Sequence, residues 1–276
     1  MRIPNINLAK AQNIKAAFQA ASRGKYHWVR DTPDSRDQIY QIQPLQTTPG
    51  TVDLRQYASP IDDQGNLGSC TGNAIAGQID LIDKKGGKNL RVSRLFIYYQ
   101  ERVLEGTTRY DSGAYIRDGI KACYTYGAPL ESLWPYNINQ FAVKPNTAAT
   151  NDALNRKVTG YQKCTDFNAV KNALANGNPV TIGFDVYSSF ESGNWYNTTG
   201  IMPYPNTNRE SLLGGHAVCL VGYNDNLNNS GHGYFLARNS WGTSWGLQGY
   251  FWMPYQVIQN TNMSSDFWLI SAVHNP

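Results

Sequence analysis

The chain has 276 residues, of which 41% are hydrophobic and 16% charged, and a formal net charge of +4. That length can bury a sizeable core in one large domain or two small ones, and the composition excludes a disordered chain. The mild positive balance is not gathered into a run, so nucleic acid is not an expected partner. No stretch approaches the roughly 18 consecutive apolar residues of a membrane span.

Residues 8–23 place Leu8, Ala11, Ile14, Phe18 and Ala21 on one helical stripe, closed by Gly24. The polar, turn-rich run His27-Trp28-Val29-Arg30-Asp31-Thr32-Pro33-Asp34-Ser35-Arg36-Asp37 reads as an extended strap, and Gln41 to Gly50 continues as loop. Residues 1–50 therefore form a separable arm ahead of a compact body that starts at Thr51-Val52-Asp53-Leu54-Arg55.

The body is organised around Asp63-Gln64-Gly65-Asn66-Leu67-Gly68-Ser69-Cys70, a Gly-rich turn that delivers a cysteine onto the first turn of a helix. Ala74, Ile75, Ile79 and Ile82 give that helix an apolar face, and Lys84-Lys85-Gly86-Gly87 ends it. Helical patterns follow over Ser93–Leu104 and Ala114–Tyr126. After residue 156 the texture turns to short β-rich runs at 158–161, 180–186, 217–223, 234–239 and 249–253, interrupted by a helix from Phe167 to Ala175. Helices first and strands later predict an α+β body of two lobes, mainly helical over 51–156 and mainly β over 157–276.

Four cysteines (Cys70, Cys123, Cys164, Cys219) are too sparse for a disulfide framework. Cys219 lies in an apolar run and reads as a buried thiol, while Cys123 and Cys164 are left open as paired or free. No Cys-x-x-Cys or His-rich cluster suggests a metal, and no cofactor is expected. Cys70 is the reactive candidate, because the positive end of a helix macrodipole favours thiolate.

A cysteine nucleophile needs a base and a group that orients the base. Of the four histidines, His27 lies in the polar arm, His232 in an Asn/Gly loop and His274 near the C-terminus. His216 differs: the pair Gly214-Gly215 opens there into an apolar strand. In Arg238-Asn239-Ser240-Trp241-Gly242-Thr243-Ser244-Trp245-Gly246, a polar Asn sits among tryptophans and glycines, which points to a shielded hydrogen bond.

Taken together, these segments resemble the papain-like cysteine peptidases over about residues 51–270. The resemblance rests on Gln64-Gly65-x-x-Gly68-Ser69-Cys70, on Gly215-His216-Ala217-Val218 with Val221-Gly222-Tyr223, and on Asn239-Ser240-Trp241-Gly242-Thr243-x-Trp245-Gly246 with Gly249-Tyr250. His216 lies 146 residues after Cys70, inside the spacing of roughly 130–150 expected of such enzymes. Asn239 lies 169 after it, and an insertion near 194–213 accounts for part of that length. Asp111-Ser112-Gly113-Ala114 resembles the segment that lines the family's substrate cleft. The run from His27 to Asp37 looks like the segment ahead of the mature domain in bacterial members.

The resemblance implies a two-lobed papain-like fold, a helical lobe facing an antiparallel β-barrel-like lobe across the active-site cleft. It implies that Cys70 is the nucleophile, His216 the base, Asn239 its orienting partner shielded by Trp241, and Gln64 with the Cys70 N–H the oxyanion hole. Ser112, Gly113, Ala114, Tyr115, Gly214, Gly215 and Trp241 are the expected substrate-lining residues, around a roomy, apolar pocket.

Two departures stand out: Leu67 replaces the cysteine usual three residues before the nucleophile, and Thr71 replaces the aromatic after it, which would open space there. The expected function is a monomeric cysteine endopeptidase acting on peptides or proteins and held latent by its own N-terminal arm. An exopeptidase, another thiol acyl-transfer enzyme and a non-catalytic binding protein on the same scaffold are the alternatives. Latency favours export, although the N-terminus lacks a signal-like apolar run and the cysteines are few, which leaves a cytoplasmic protein as the alternative.

Overall fold

The computed structural model describes residues 25–274, so the helix expected over 8–23 lies outside the described residues. The strands are β1 (Trp28–Val29), β2 (Thr51–Asp53), β3 (Ala114–Tyr115), β4 (Lys157–Cys164), β5 (Val180–Tyr187), β6 (Leu212–Asn224), β7 (Tyr234–Arg238), β8 (Tyr250–Pro254) and β9 (Ser264–His274). The α-helices are α1 (Cys70–Lys85), α2 (Arg94–Glu105), α3 (Ile116–Tyr126), α4 (Thr147–Ala153), α5 (Phe167–Ala175), α6 (Ser188–Glu191), α7 (Trp195–Thr198) and α8 (Tyr255–Gln259).

Helix α1 is buried along nearly its whole length, not on one face only. It lies between the other helices and the sheet, so its polar residues need internal partners. Gln78 provides them: its amide donates to the carbonyls of Pro179 and Trp268, and its Oε1 accepts from Thr181 Oγ1 at 2.8 Å. At its end Gly86 N–H returns to Ile82 O, beside Lys84 and Lys85, as the basic-then-glycine pattern predicts. Helix α2 starts where Ser93 Oγ accepts from Phe96 N–H and stops at Gly106, which adopts φ 73°.

Helix α3 begins later than its apolar stripe predicts. Ala114 N–H donates to His27 O and Tyr115 N–H to Glu105 Oε1, so both residues stay extended as β3.

The second lobe is a sheet of order β4-β9-β5-β6-β7-β8 with β2 added beside β6, every pairing antiparallel. Its core includes Phe184, Phe190, Tyr223, Phe235 and Phe251, all at most 1% exposed. Strand β6 starts at Leu212, so His216 lies within a strand, opposite Phe184 of β5, instead of at a strand start. Gly214 and Gly215 pair with Val186 and Asp185, which carries the ladder through the glycines.

Cys123 and Cys164 are both buried and both free. Burial alone accounts for these sites, and Cys219 is a buried thiol as its apolar run predicts. The short strand β2 is the body's first element, and it belongs to the sheet.

The arm is an extended strap laid between the lobes. β1 pairs in parallel with β3, and His27 bridges in parallel to Gly215 of β6. Further on, Tyr40 N–H donates to Lys163 O and Tyr40 OH to Asn172 Oδ1. Pro49 O accepts from Tyr223 OH at 2.6 Å just before β2 begins.

Candidate active site

Cys70 is the first residue of α1 and is fully buried. The turn before it is fixed by Gly65 N–H on Asp63 Oδ1 and by Gln64 N–H on Ser240 O, with Gly65 at φ 58°. Gly68 is needed for close approach: a Cβ there would lie 2.2 Å from His27 Nδ1.

His216 and Asn239 meet at 2.8 Å between Nε2 and Oδ1. The main-chain N–H of Ser240 also donates to Asn239 Oδ1, at 2.9 Å, which identifies that atom as the oxygen. The oxygen can only accept, so His216 carries its proton on Nε2 and leaves Nδ1 as a bare acceptor. Nδ1 is buried and has no hydrogen-bond partner. The next residue, Ala217, turns its amide toward the Cys70 thiol. Trp241 stacks on the imidazole at 5.0 Å and 30°, and Tyr26 and Phe184 meet it edge-on.

Gln64 is also buried and held at both ends. Its Oε1 accepts from Ser240 Oγ at 2.7 Å, and its Nε2 donates to Leu67 O at 2.9 Å and to Lys25 O at 3.3 Å. Ser240 thus fixes Gln64 with its side chain and Asn239 with its backbone, a double role that sequence reasoning missed. Its place inside the Asn239-Ser240-Trp241 motif is the signal that could have found it.

Burial pushes the Cys70 thiol up to about 12, with the nearby Glu101 adding to it, while the amides of Ala217, His27 and Thr71 pull the other way. Burial likewise brings His216 down to about 4, helped by the positive charge of Lys25 and opposed by the bond to Asn239. Both shifts favour the neutral forms, and desolvation by burial is the largest cause of each, acting against the thiolate that the helix terminus favours.

The expected lining residues fall on two walls. Gly113 and Ala114 carry the arm's backbone: a Cβ on Gly113 would lie 1.7 Å from His27 O, and Ala114 pairs with Trp28. Tyr115 is buried and pairs with Val29. Ser112 is turned away from the arm, its hydroxyl donating to Thr107 Oγ1 at 2.9 Å. On the opposite wall Gly214 packs on Tyr26, Gly215 packs on Trp28, and Trp241 sits beneath Lys25 Nζ at 3.6 Å. Thr71 does not open space. It is fully buried and its hydroxyl donates to the buried Glu101 at 2.6 Å.

Among the described residues, no group of three or more His, Cys, Asp or Glu is placed to hold a metal ion, and no helix is long and apolar enough to cross a membrane.

A two-lobed α+β fold carries a buried cysteine at a helix start and, in the facing sheet, a histidine bonded to an asparagine, the residue types that a thiol hydrolase of the Cys-His-Asn kind requires. The sequence profile described as papain family cysteine protease matches residues 48–269, and the chain belongs to that family. An uncharacterized peptidase C1-like protein of Acanthamoeba polyphaga mimivirus is 41% identical over 256 residues, spanning 88% of this chain and 78% of that protein. The crystal structure of xylellain, a cysteine protease from Xylella fastidiosa, superposes with a TM-score of 0.81 at 36% identity, over 92% of this chain and 97% of that one. The structure of digestive procathepsin L 3 from the Tenebrio molitor larval midgut superposes at 0.63 and 20% identity, over 92% and 78% of the two chains, a likeness of fold alone.

Proposed function

We propose that the chain is a cysteine endopeptidase made latent by its own N-terminal arm, with Cys70 as nucleophile. Once the arm leaves, water reaches the site and the desolvation that keeps thiol and imidazole neutral is relieved. The Cys70 proton passes to His216 Nδ1, whose Nε2–H stays on Asn239 Oδ1. The thiolate attacks a peptide carbonyl, and the Gln64 amide with the Cys70 N–H receives the developing oxyanion. His216 returns the proton to the leaving amine, and water, deprotonated by His216, hydrolyses the thioester.

The observation that carries this reading is the His216–Asn239 bond, which fixes the tautomer and leaves Nδ1 bare, one residue before the Ala217 amide that reaches the Cys70 thiol. Latency is supported by the arm itself: Lys25 O sits on the Gln64 amide and the His27 amide reaches the thiol. One structural relative is by its name a proform, which agrees. An enzyme silenced in this way suits export before activation, so we place it outside the cell.

The test is mass spectrometry of the intact chain and of the chain cut near residues 45–52 and separated from its freed arm, each exposed to a peptidyl epoxide. A single adduct on Cys70 that appears only after cutting is the expected result. An adduct on the intact chain removes the latency, and no adduct in either form removes the enzyme.

A further inference from the structure

Behind the start of α1 lies an acid that no step above uses. Glu101 of α2 is fully buried, and so are Thr71 and Cys70. Its Oε2 accepts from the Thr71 hydroxyl at 2.6 Å, while its Oε1 is buried and has no hydrogen-bond partner. A Cβ on Gly119 would fall 2.4 Å from that Oε1 and equally close to Ile75 Cδ1, so α3 presses bare backbone onto the carboxyl.

The charged groups around Glu101 leave it uncompensated. On its own helix, Arg102 spends its guanidinium on the carbonyls of Tyr98, Thr108, Tyr110 and Phe141. Helix α3 contributes the like charge of Asp118 and the thiol of Cys123, and α1 contributes the thiol of Cys70. None of these gives Oε1 a bond. A buried carboxylate with a single donor is costly, so the neutral acid is the form this site accepts. Burial accordingly raises the Glu101 carboxyl to about 8, with the Thr71 bond and Arg102 opposing it.

The consequence falls on the nucleophile. Cys70 and Thr71 are the first two residues of α1. A thiolate on Cys70 and a carboxylate on Glu101, bonded to Thr71, would draw on the same positive helix end. Buried like charges so placed repel with little screening from water.

We propose that Glu101 is a positioning residue that must stay uncharged: acting through Thr71 and the start of α1, its ionisation suppresses the Cys70 thiolate and so sets the alkaline limit of the enzyme. The proposal rests on the reading of Cys70 as nucleophile. The groups that enclose Glu101 belong to α1, α2 and α3, so removal of the arm leaves them in place.

Two measurements test it, each on the chain cut near residues 45–52 and separated from its arm, with circular dichroism at both pH values to confirm the fold. The first is kcat/KM for a peptide at pH 9 relative to pH 6. Glu101→Gln cannot ionise, and its ratio should exceed that of the unaltered chain by about fivefold or more. Thr71→Val removes the one donor to the carboxylate and so delays its ionisation, and its ratio should rise by about twofold or more. A merely structural role lowers activity at both pH values and leaves the ratios equal. Equal ratios overturn the proposal.

The second is the rate at which iodoacetamide alkylates Cys70 in the same chains, again at pH 9 relative to pH 6, which needs no catalysis. The ratio should rise in both variants, and equal ratios overturn the coupling of Glu101 to the thiolate. A chain that turns over no peptide overturns the peptidase, and the alkaline limit falls with it. The alkylation ratios then decide the coupling by themselves.

Discussion

The carbonyl oxygen of Lys25 accepts the side-chain amide of Gln64, at 3.3 Å, as an oxyanion would in the proposed mechanism. The arm thus covers more than the path to Cys70: it occupies the amide that the proposed mechanism assigns to the oxyanion. After the arm is removed, Gln64→Ala should lower kcat by about 10²–10³ fold, the usual effect of losing one oxyanion donor. Steady-state kinetics on the cut chain check this, with circular dichroism to confirm that the fold is retained. A loss below fivefold would remove Gln64 from the oxyanion hole.

Asn239 holds His216 through one hydrogen bond, and its Oδ1 is held in turn by Ser240 N–H. Asn239→Ala leaves the buried Nε2–H without an acceptor, at a cost of ~1–3 kcal/mol. The expected outcome is a fall in kcat of about five- to a hundredfold with KM little changed. Burst kinetics with an ester substrate show whether acylation is the step that slows.

Gly68 faces the His27 ring so closely that a methyl group has no room. Overpacking of that kind costs ~1–3 kcal/mol, and here it falls on the arm's docking. Gly68→Ala should therefore raise the rate of Cys70 alkylation in the intact chain by about tenfold or more. If the rate is unchanged, the ring yields and the contact does not hold the arm.

Glu101 is fully buried beside Thr71, and burial raises its carboxyl from 4.5 to about 8, with Asp118 adding to the rise and the Thr71 bond and Arg102 opposing it. Between those two values the folded chain holds a proton that the unfolded chain has released. Its contribution is whole below the ordinary carboxylate range and is lost as pH rises through about 8. Asp80, raised to about 7 by burial, acts in the same direction. Tm should fall as pH rises from about 5 to 8, and Glu101→Gln, which keeps an acceptor for Thr71, should flatten part of that slope. A slope identical in the variant would show that Glu101 is charged in the folded chain.

The helices of the first lobe were legible because each carries its own stripe and stop: Ser93 caps α2, Gly106 ends it, and Lys85-Gly86 close α1. The edges were not. Ala114 and Tyr115 have helical neighbours in sequence, yet their amides are taken by His27 and Glu105, partners outside the helix. His216 looked like a strand start because two glycines precede it, but the ladder with Asp185 and Val186 runs straight through them.

At the site, Cys70, His216, Asn239 and Gln64 were nameable because each sits in a local motif. What sequence could not convey is how the strap changes them. The His27 amide reaches the Cys70 thiol and the Lys25 charge acts on His216, and no local pattern predicts either. The bonds from Trp28 and Asp31 to Asp266, more than 230 positions away, were invisible for the same reason.

The strap returns to the body at Pro49 and Thr51, which are tied to β6 by Tyr223 OH and by the β2 ladder. A cut near residues 45–52 therefore does not by itself uncover Cys70, because β1 and the Tyr40 contacts remain in place. It changes the order of the reaction. Before the cut, the strap rebinds at an effective concentration on the order of millimolar, set by its tether. After it, the freed strap is a separate ligand that must find the cleft by diffusion. Latency then depends on dilution: crowded molecules stay closed after cutting, and the same molecules open once they disperse.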